Sequence, residues 1–91
     1  MQLRTVIETA LKAAIIEEVP GLNPDRIKME DKLSDHLDSI DISNVTLTME
    51  EKLKLDHLLI TEDDRFASAK TFNDLILLYA EHYNGTAYDK V

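Results

Sequence analysis

Residues 38–53 determine how the chain folds, and their sequence is DSIDISNVTLTMEEKL. Apolar residues recur here at steps of three and four, which is the spacing of one face of a helix. Asp38 can cap the first turn, and Asp41 lies three residues on, close to the positive end of the helix dipole. We therefore predict a helix that begins at Asp38-Ser39. Its core-facing stripe consists of Ile42, Val45, Met49 and Leu53.

A second stripe on the same helix is mixed in character. It consists of Ile40, Asn44, Leu47 and Glu51. Single apolar residues on a solvated helix face are normal, so an ordinary surface is one interpretation.

Helical spacing also extends towards the N-terminus. A first helix is predicted over about residues 2–18, and Pro20-Gly21 stops it. Asn23-Pro24 has the form of a capped single turn. Residues 28–37 then form a polar loop that is held by two leucines, Leu33 and Leu37.

Two segments that begin with threonine predict the remaining helices. Thr61-Glu62-Asp63-Asp64 has the form of a capping box and predicts a short helix. Thr71-Phe72-Asn73-Asp74 has the same form and predicts a final helix to about Tyr83, ended by Asn84-Gly85. Residues 1–84 are predicted to form one domain and residues 85–91 a flexible tail. The expected fold is all-α: a small antiparallel four-helix bundle, with three main helices, one short helix and a long loop after the first.

Composition excludes several classes of protein. The 91 residues contain no cysteine, so disulfides, a thiol nucleophile and cysteine-ligated metals are excluded. The three histidines, His36, His57 and His82, lack the spacing of a metal site, and we predict no metal site. No constellation of catalytic residues is evident, so we do not expect an enzyme. No apolar run is long enough to cross a membrane and no signal pattern is present, so we expect no membrane insertion and a cytoplasmic monomer.

The charge is concentrated in one part of the chain. The formal net charge is −8, and residues 30–64 alone hold eleven acidic and three basic residues. The whole net charge therefore lies in the middle third. This argues against binding to a nucleic acid backbone. It is compatible either with simple solubility or with steering of a basic partner.

Asp38-Ser39-Ile40 follows a long loop in this acidic helical frame, and the arrangement resembles the acyl carrier protein family. In that family, Asp-Ser-Leu or Asp-Ser-Ile begins the second helix, and the serine carries a 4'-phosphopantetheine arm. The resemblance covers about residues 2–83 and includes the Glu50-Glu51 pair and the opening of the last helix at Thr71. It implies attachment of the arm at Ser39, with Asp38 as a ligand of the transferase's Mg²⁺. An ordinary helix cap is the alternative interpretation of Asp38-Ser39.

The same resemblance implies a function and its partners. The chain would carry an acyl group as a thioester on the arm, for specialised lipid, polyketide or related acyl-transfer pathways. Its partners would be a phosphopantetheinyl transferase and acyl-loading, condensing or acyltransferase enzymes with basic docking surfaces. The positions that match the family's contacts with such enzymes are Ile40, Asp41, Asn44, Leu47, Glu50 and Glu51. A pocket for an aliphatic chain is expected between the second and third helices, lined by Leu58, Leu59 and Ile60.

Two other functions remain open. Leu37-Asp38-Ser39, which has no glycine shortly before the serine, resembles D-alanyl carrier proteins. An aminoacyl carrier would hold a small polar cargo and would need no pocket. An unmodified acidic helical adaptor would keep the charge pattern and make Ser39 dispensable. His36, in the loop, is either a hydrogen-bond partner of the arm or a solvated histidine.

Overall fold

The computed structural model describes residues 3–55 and 58–86, and the side chains of all of these except 84–86. Three α-helices account for most of this part of the chain: α1 (Leu3–Glu18), α2 (Ser39–Leu53) and α3 (Phe72–Thr86). The segments between them contain short 3₁₀ helices, at Pro24–Arg26, Leu33–Asp35, Ile60–Glu62 and Asp64–Ser68. Within the described ranges there is no β-strand, and the all-α class is confirmed. The predicted short fourth helix is a five-residue 3₁₀ helix.

The core forms around α1, which packs against both α2 and α3. Five residues of α1 at helical spacing are buried, Ile7, Ala10, Leu11, Ala14 and Ile15, and Leu3 and Val6 on the same stripe are partly buried. The predicted stripe of α2 is buried at Val45, Met49 and Leu53, with Ile42 at its edge. From α3, the fully buried side chains are Phe72, Leu75, Ile76 and Tyr79. None of the helices in the described ranges is long and apolar enough to cross a membrane.

The long loop before α2 is fixed by two buried leucines and by hydrogen bonds to α3. Leu33 and Leu37 are buried, as their positions in the polar loop predict. The loop is also hydrogen-bonded to the start of α3. Phe72 N donates to Asp31 O at 3.2 Å, and Asn73 N donates to Met29 O at 2.8 Å. These bonds satisfy two N–H groups that a helix leaves unpaired in its first turn. The loop therefore has one defined path to the beginning of α2.

Three of the four predicted caps are confirmed. Asn23 accepts a hydrogen bond from Asp25 N, and Asp38 forms a capping box with Asp41. At the start of α3, Asp74 N donates to Thr71 Oγ1 and Thr71 N donates to Asp74 Oδ2, both at 3.1 Å.

The predicted cap at Thr61 is wrong. Ile60–Glu62 forms its own 3₁₀ turn, in which Thr61 lies and is exposed. The following 3₁₀ helix begins two residues later than expected, with Asp63 as its cap, because Asp63 Oδ1 accepts a hydrogen bond from Arg65 N at 2.8 Å.

The end of α3 also differs from the prediction. The helix continues through Asn84-Gly85 to Thr86, so Asn84-Gly85 does not end it. Glycine inside a helix costs about 1 kcal/mol relative to alanine, which a helix with a buried face can tolerate. The predicted flexible tail, residues 85–91, therefore begins within the helix, and from residue 87 it lies outside the described residues.

The two threonine sites provide a matched test of capping. Replacing Thr71 with alanine removes the side-chain acceptor of Asp74 N and should lower the free energy of unfolding by about 1 kcal/mol. Replacing the exposed Thr61 with alanine should change it by less than about 0.5 kcal/mol. Urea denaturation monitored by circular dichroism measures both values. Equal losses for the two variants would contradict the assignment of the caps.

Candidate functional site

Ser39 is exposed at the first position of α2. The path to this position is fixed because Leu37, two residues earlier, is buried in the core. A hydroxyl at the first turn lies beside backbone N–H groups that have no partner within the helix, at the positive end of its dipole. An anionic group joined to this hydroxyl is stabilised by both features.

Asp38 and Asp41 hold each other in place next to Ser39. Asp38 Oδ1 accepts a hydrogen bond from Asp41 N at 2.8 Å, and Asp41 Oδ2 accepts one from Asp38 N at 3.3 Å. The cap interpretation of Asp38 is therefore confirmed. Asp38 is also exposed, so its carboxylate stays accessible beside the serine. Asp41, which is half-buried, has a structural role in addition to the expected one towards a partner.

One face of α2 presents apolar residues to solvent. Ile40 is 69% exposed and Leu47 is 51% exposed. Asn44 and Glu51 lie on the same face and are exposed as well. We call these four residues the docking face: Ile40, Asn44, Leu47 and Glu51. The sequence spacing had grouped these four residues, and the structure places all of them at the surface, on the face that begins beside Ser39.

Glu50, one of the positions expected to contact a partner enzyme, is not part of this face, because its side chain is buried. It is 5% exposed, and its carboxylate lies in the interior. Leu59 N donates to its Oε1 at 2.8 Å, and Ile60 N donates to its Oε2 at 3.2 Å. The hydroxyl of Tyr79 donates to Oε2 at 2.9 Å. Three donors inside the protein therefore satisfy this carboxylate.

Helical spacing is compatible with this burial but does not by itself predict it. Glu50 lies four residues after Thr46 and three before Leu53, and both of these residues are buried. Residues at such spacings share a side of a helix, whereas the adjacent Glu51 lies on a different side. Reading Glu50 and Glu51 as one acidic pair overlooked this difference.

Tyr79 connects α3 to α2. Its side chain is fully buried. Its hydroxyl lies 2.9 Å from Glu50 Oε2 and 3.2 Å from the carbonyl oxygen of Thr46. Burial, and then the charge of the Glu50 carboxylate, raise the pKa of the Tyr79 hydroxyl far above its ordinary value. The raised pKa favours the protonated hydroxyl, which is the form that donates the hydrogen bond to Glu50.

In the described part of the connector after α2, Lys54 and Leu59 have left-handed backbone. Lys54 has a φ of 57° and Leu59 a φ of 49°, which is uncommon for residues other than glycine. The Glu50 carboxylate holds the N–H groups of Leu59 and Ile60 at this point. Ile60 is fully buried, whereas Leu59 is 42% exposed. The residues expected to line one pocket wall therefore lie in different environments.

His36 has a structural partner. Its Nε2 lies 3.0 Å from Asp31 Oδ2, and its ring lies 6.0 Å from that of Phe72 at an angle of 50°. The hydrogen bond to His36 is the main reason why the pKa of Asp31 is lowered. His36 is half-buried. It contacts Asp31 within the loop and Phe72 at the start of α3, so it is not a freely solvated histidine.

No family model matches this chain, and neither a curated protein nor a solved structure matches it. In the ranges 3–55 and 58–86, no group of three histidine, aspartate or glutamate side chains is placed to hold a metal ion. The candidate site therefore rests on the position of Ser39, its cap and the docking face.

Glu50 and Glu51 form a matched pair for mutation. In Glu50→Gln, the amide group can accept hydrogen bonds only through its oxygen, and its NH₂ faces groups that are themselves donors. The variant should lose about 1–3 kcal/mol of stability. Glu51→Gln, on the exposed face, should stay within about 0.5 kcal/mol of the wild type. Both are measured by urea denaturation, and a neutral Glu50→Gln would contradict the buried network.

Proposed function

We propose that the chain is an acyl carrier protein that bears 4'-phosphopantetheine on Ser39. The observation that carries this proposal is the exposed Ser39 at the first position of α2, between the capping Asp38 and the exposed Ile40. The arm ends in a thiol, which would hold an acyl group as a thioester. A chain without cysteine would in this way perform thiol chemistry.

The first turn of α2 provides the hydroxyl, the backbone N–H groups and the carboxylate that the attachment step requires. A transferase would join Ser39 Oγ to the phosphate of the pantetheine half of coenzyme A. The hydroxyl proton is lost, and the adenosine bisphosphate half is the leaving group. The phosphodiester formed carries one negative charge, which the free N–H groups and the helix dipole favour. Asp38, exposed beside Ser39, would supply a hard oxygen ligand for a Mg²⁺ ion that assists the transferase.

The docking face supports the second part of the proposal, which is recognition by separate enzymes. Ile40 and Leu47 supply apolar anchors beside the modified residue, and Glu51 and Asp41 supply negative charge. A basic surface on the partner would be steered towards the acidic middle third of the chain. The one basic residue in the last turn of α2, Lys52, is paired with Glu17 of α1, which offsets its positive charge.

The attachment is tested by intact mass after incubation with a phosphopantetheinyl transferase, Mg²⁺ and coenzyme A. The wild-type chain should gain the mass of one phosphopantetheine group, and Ser39→Ala should gain none. Ser43→Ala is the matched control, because Ser43 is also exposed and lies one turn further along α2. It should be modified like the wild type.

A wild-type chain that gains no mass, even with a transferase from the same source, would overturn the carrier proposal. The unmodified acidic adaptor would then be the better account, since the Asp38–Asp41 cap is complete without any attached group. Modification that persists in Ser39→Ala would place the attachment elsewhere.

The docking face is tested by kinetics of the same reaction. Ile40→Ser and Leu47→Ser should each lower kcat/KM of the transferase by about tenfold, since an apolar anchor contributes about 1–2 kcal/mol to binding. Ile16→Ser and Leu77→Ser are the controls, because these residues are equally exposed but lie on α1 and α3. If all four variants behave alike, the docking face is not the surface that the enzyme recognises.

A further inference from the structure

The interface between α2 and α3 is closed by a polar network in addition to apolar packing. Tyr79 extends from α3 to α2. There its hydroxyl lies within hydrogen-bonding distance of two acceptors, Glu50 Oε2 and Thr46 O. Both oxygens of Glu50 are used, because they also accept hydrogen bonds from the connector at Leu59 N and Ile60 N. One carboxylate therefore joins α2, the connector and α3.

The network has no missing partner. Across the described side chains, no buried nitrogen or oxygen atom lacks a hydrogen-bond partner. Separating α2 from α3 would leave the Tyr79 hydroxyl without a partner in an apolar surrounding and would take one of three donors from the Glu50 carboxylate, which is unfavourable. An aliphatic chain inserted here could not replace either hydrogen bond, because it has no polar atoms.

The apolar side chains of the same region are buried as well. Met49 of α2, Ile60 of the connector and Phe72, Leu75 and Ile76 of α3 are fully buried, and they belong to the same core as Tyr79. Among the cavities in the described part of the chain, three of about 230, 420 and 240 Å³ lie at the surface. They are found between α3 and the 3₁₀ helix Asp64–Ser68, beside the turn after α1, and between α1 and α2. A close-packed interior accepts additional volume only with strain.

We infer that the cargo of this carrier stays outside the helices and is a compact acyl group, such as a short acyl or an aminoacyl thioester. This inference rests on the proposed function and narrows its substrate class. A long aliphatic chain left in water exposes apolar surface along its whole length, whereas a compact or polar group exposes little. A carrier whose α2–α3 interface is closed is therefore suited to the second kind of cargo.

The test uses the absence of cysteine in the chain. In Ser39→Cys, the introduced thiol is unique, so it can be alkylated at one place without any transferase. Two iodoacetamide probes with linkers of the same length as the arm are attached, one ending in an octyl chain and one in a methyl group. The methyl resonances of Met49, Ile60 and Ile76 are then compared by carbon-13 NMR spectroscopy.

The two probes should give the same chemical shifts at these buried methyl groups. Tyr79→Leu, combined with Ser39→Cys, is the positive control, because it removes the hydroxyl and leaves space beside Met49. There the octyl probe should shift the core methyl resonances and the short probe should not. The wild-type interface is compared directly, so the result stands even if the Tyr79 variant fails to fold.

Core methyl shifts with the octyl probe alone, on the wild-type interface, would show that a long chain enters and would overturn this inference. They would leave the carrier proposal intact. Failure of the native chain to accept phosphopantetheine would instead overturn the proposed function, and the inferred cargo with it. The alkylated variant reports on the interface in either case, so the two failures are distinguishable.

Discussion

The structure depends on one buried carboxylate. Glu50 accepts hydrogen bonds from the connector and from Tyr79, and it thereby links α2 to the connector and to α3. A buried charge is stable only when its hydrogen-bonding capacity is used, and here all the donors come from the protein. The unusual backbone of Leu59 is held at the same point, because its N–H group is one of those donors.

The candidate site depends on a second set of contacts, at the other end of α2. The exposure of Ser39 follows from a local cap, Asp38 with Asp41, and from the path of the preceding loop. That path is set by Leu37 in the core and by the bonds between the loop and the first turn of α3. The position of the serine is thus a consequence of the folded path of the loop as well as of the local cap.

Helix α2 serves the core and the candidate site at the same time. Its buried stripe carries Val45, Met49 and Leu53, and its exposed face carries Ile40 and Leu47. Because an α-helix has 3.6 residues per turn, the two sets of residues lie on different sides of the same helix. Glu50 lies between the two, and its side chain is used by the interior. A charged residue on an amphipathic helix is therefore not evidence of a binding surface until its side is known.

The sequence by itself determined the three helices to within a few residues, the caps at Asn23, Asp38 and Thr71, and the exposure of the docking face. Each of these depends on periodicity or on hydrogen bonds between residues within one turn, and such information is local. Tertiary structure decided the burial of Glu50, the capping by Asp63 in place of Thr61, and the continuation of α3 past Asn84-Gly85. The donors to Glu50 lie 9, 10 and 29 residues away along the chain. The folding of the connector and the packing of α3 bring those donors to the carboxylate. A pattern of residues within one helical turn cannot predict contacts between residues so far apart in the sequence.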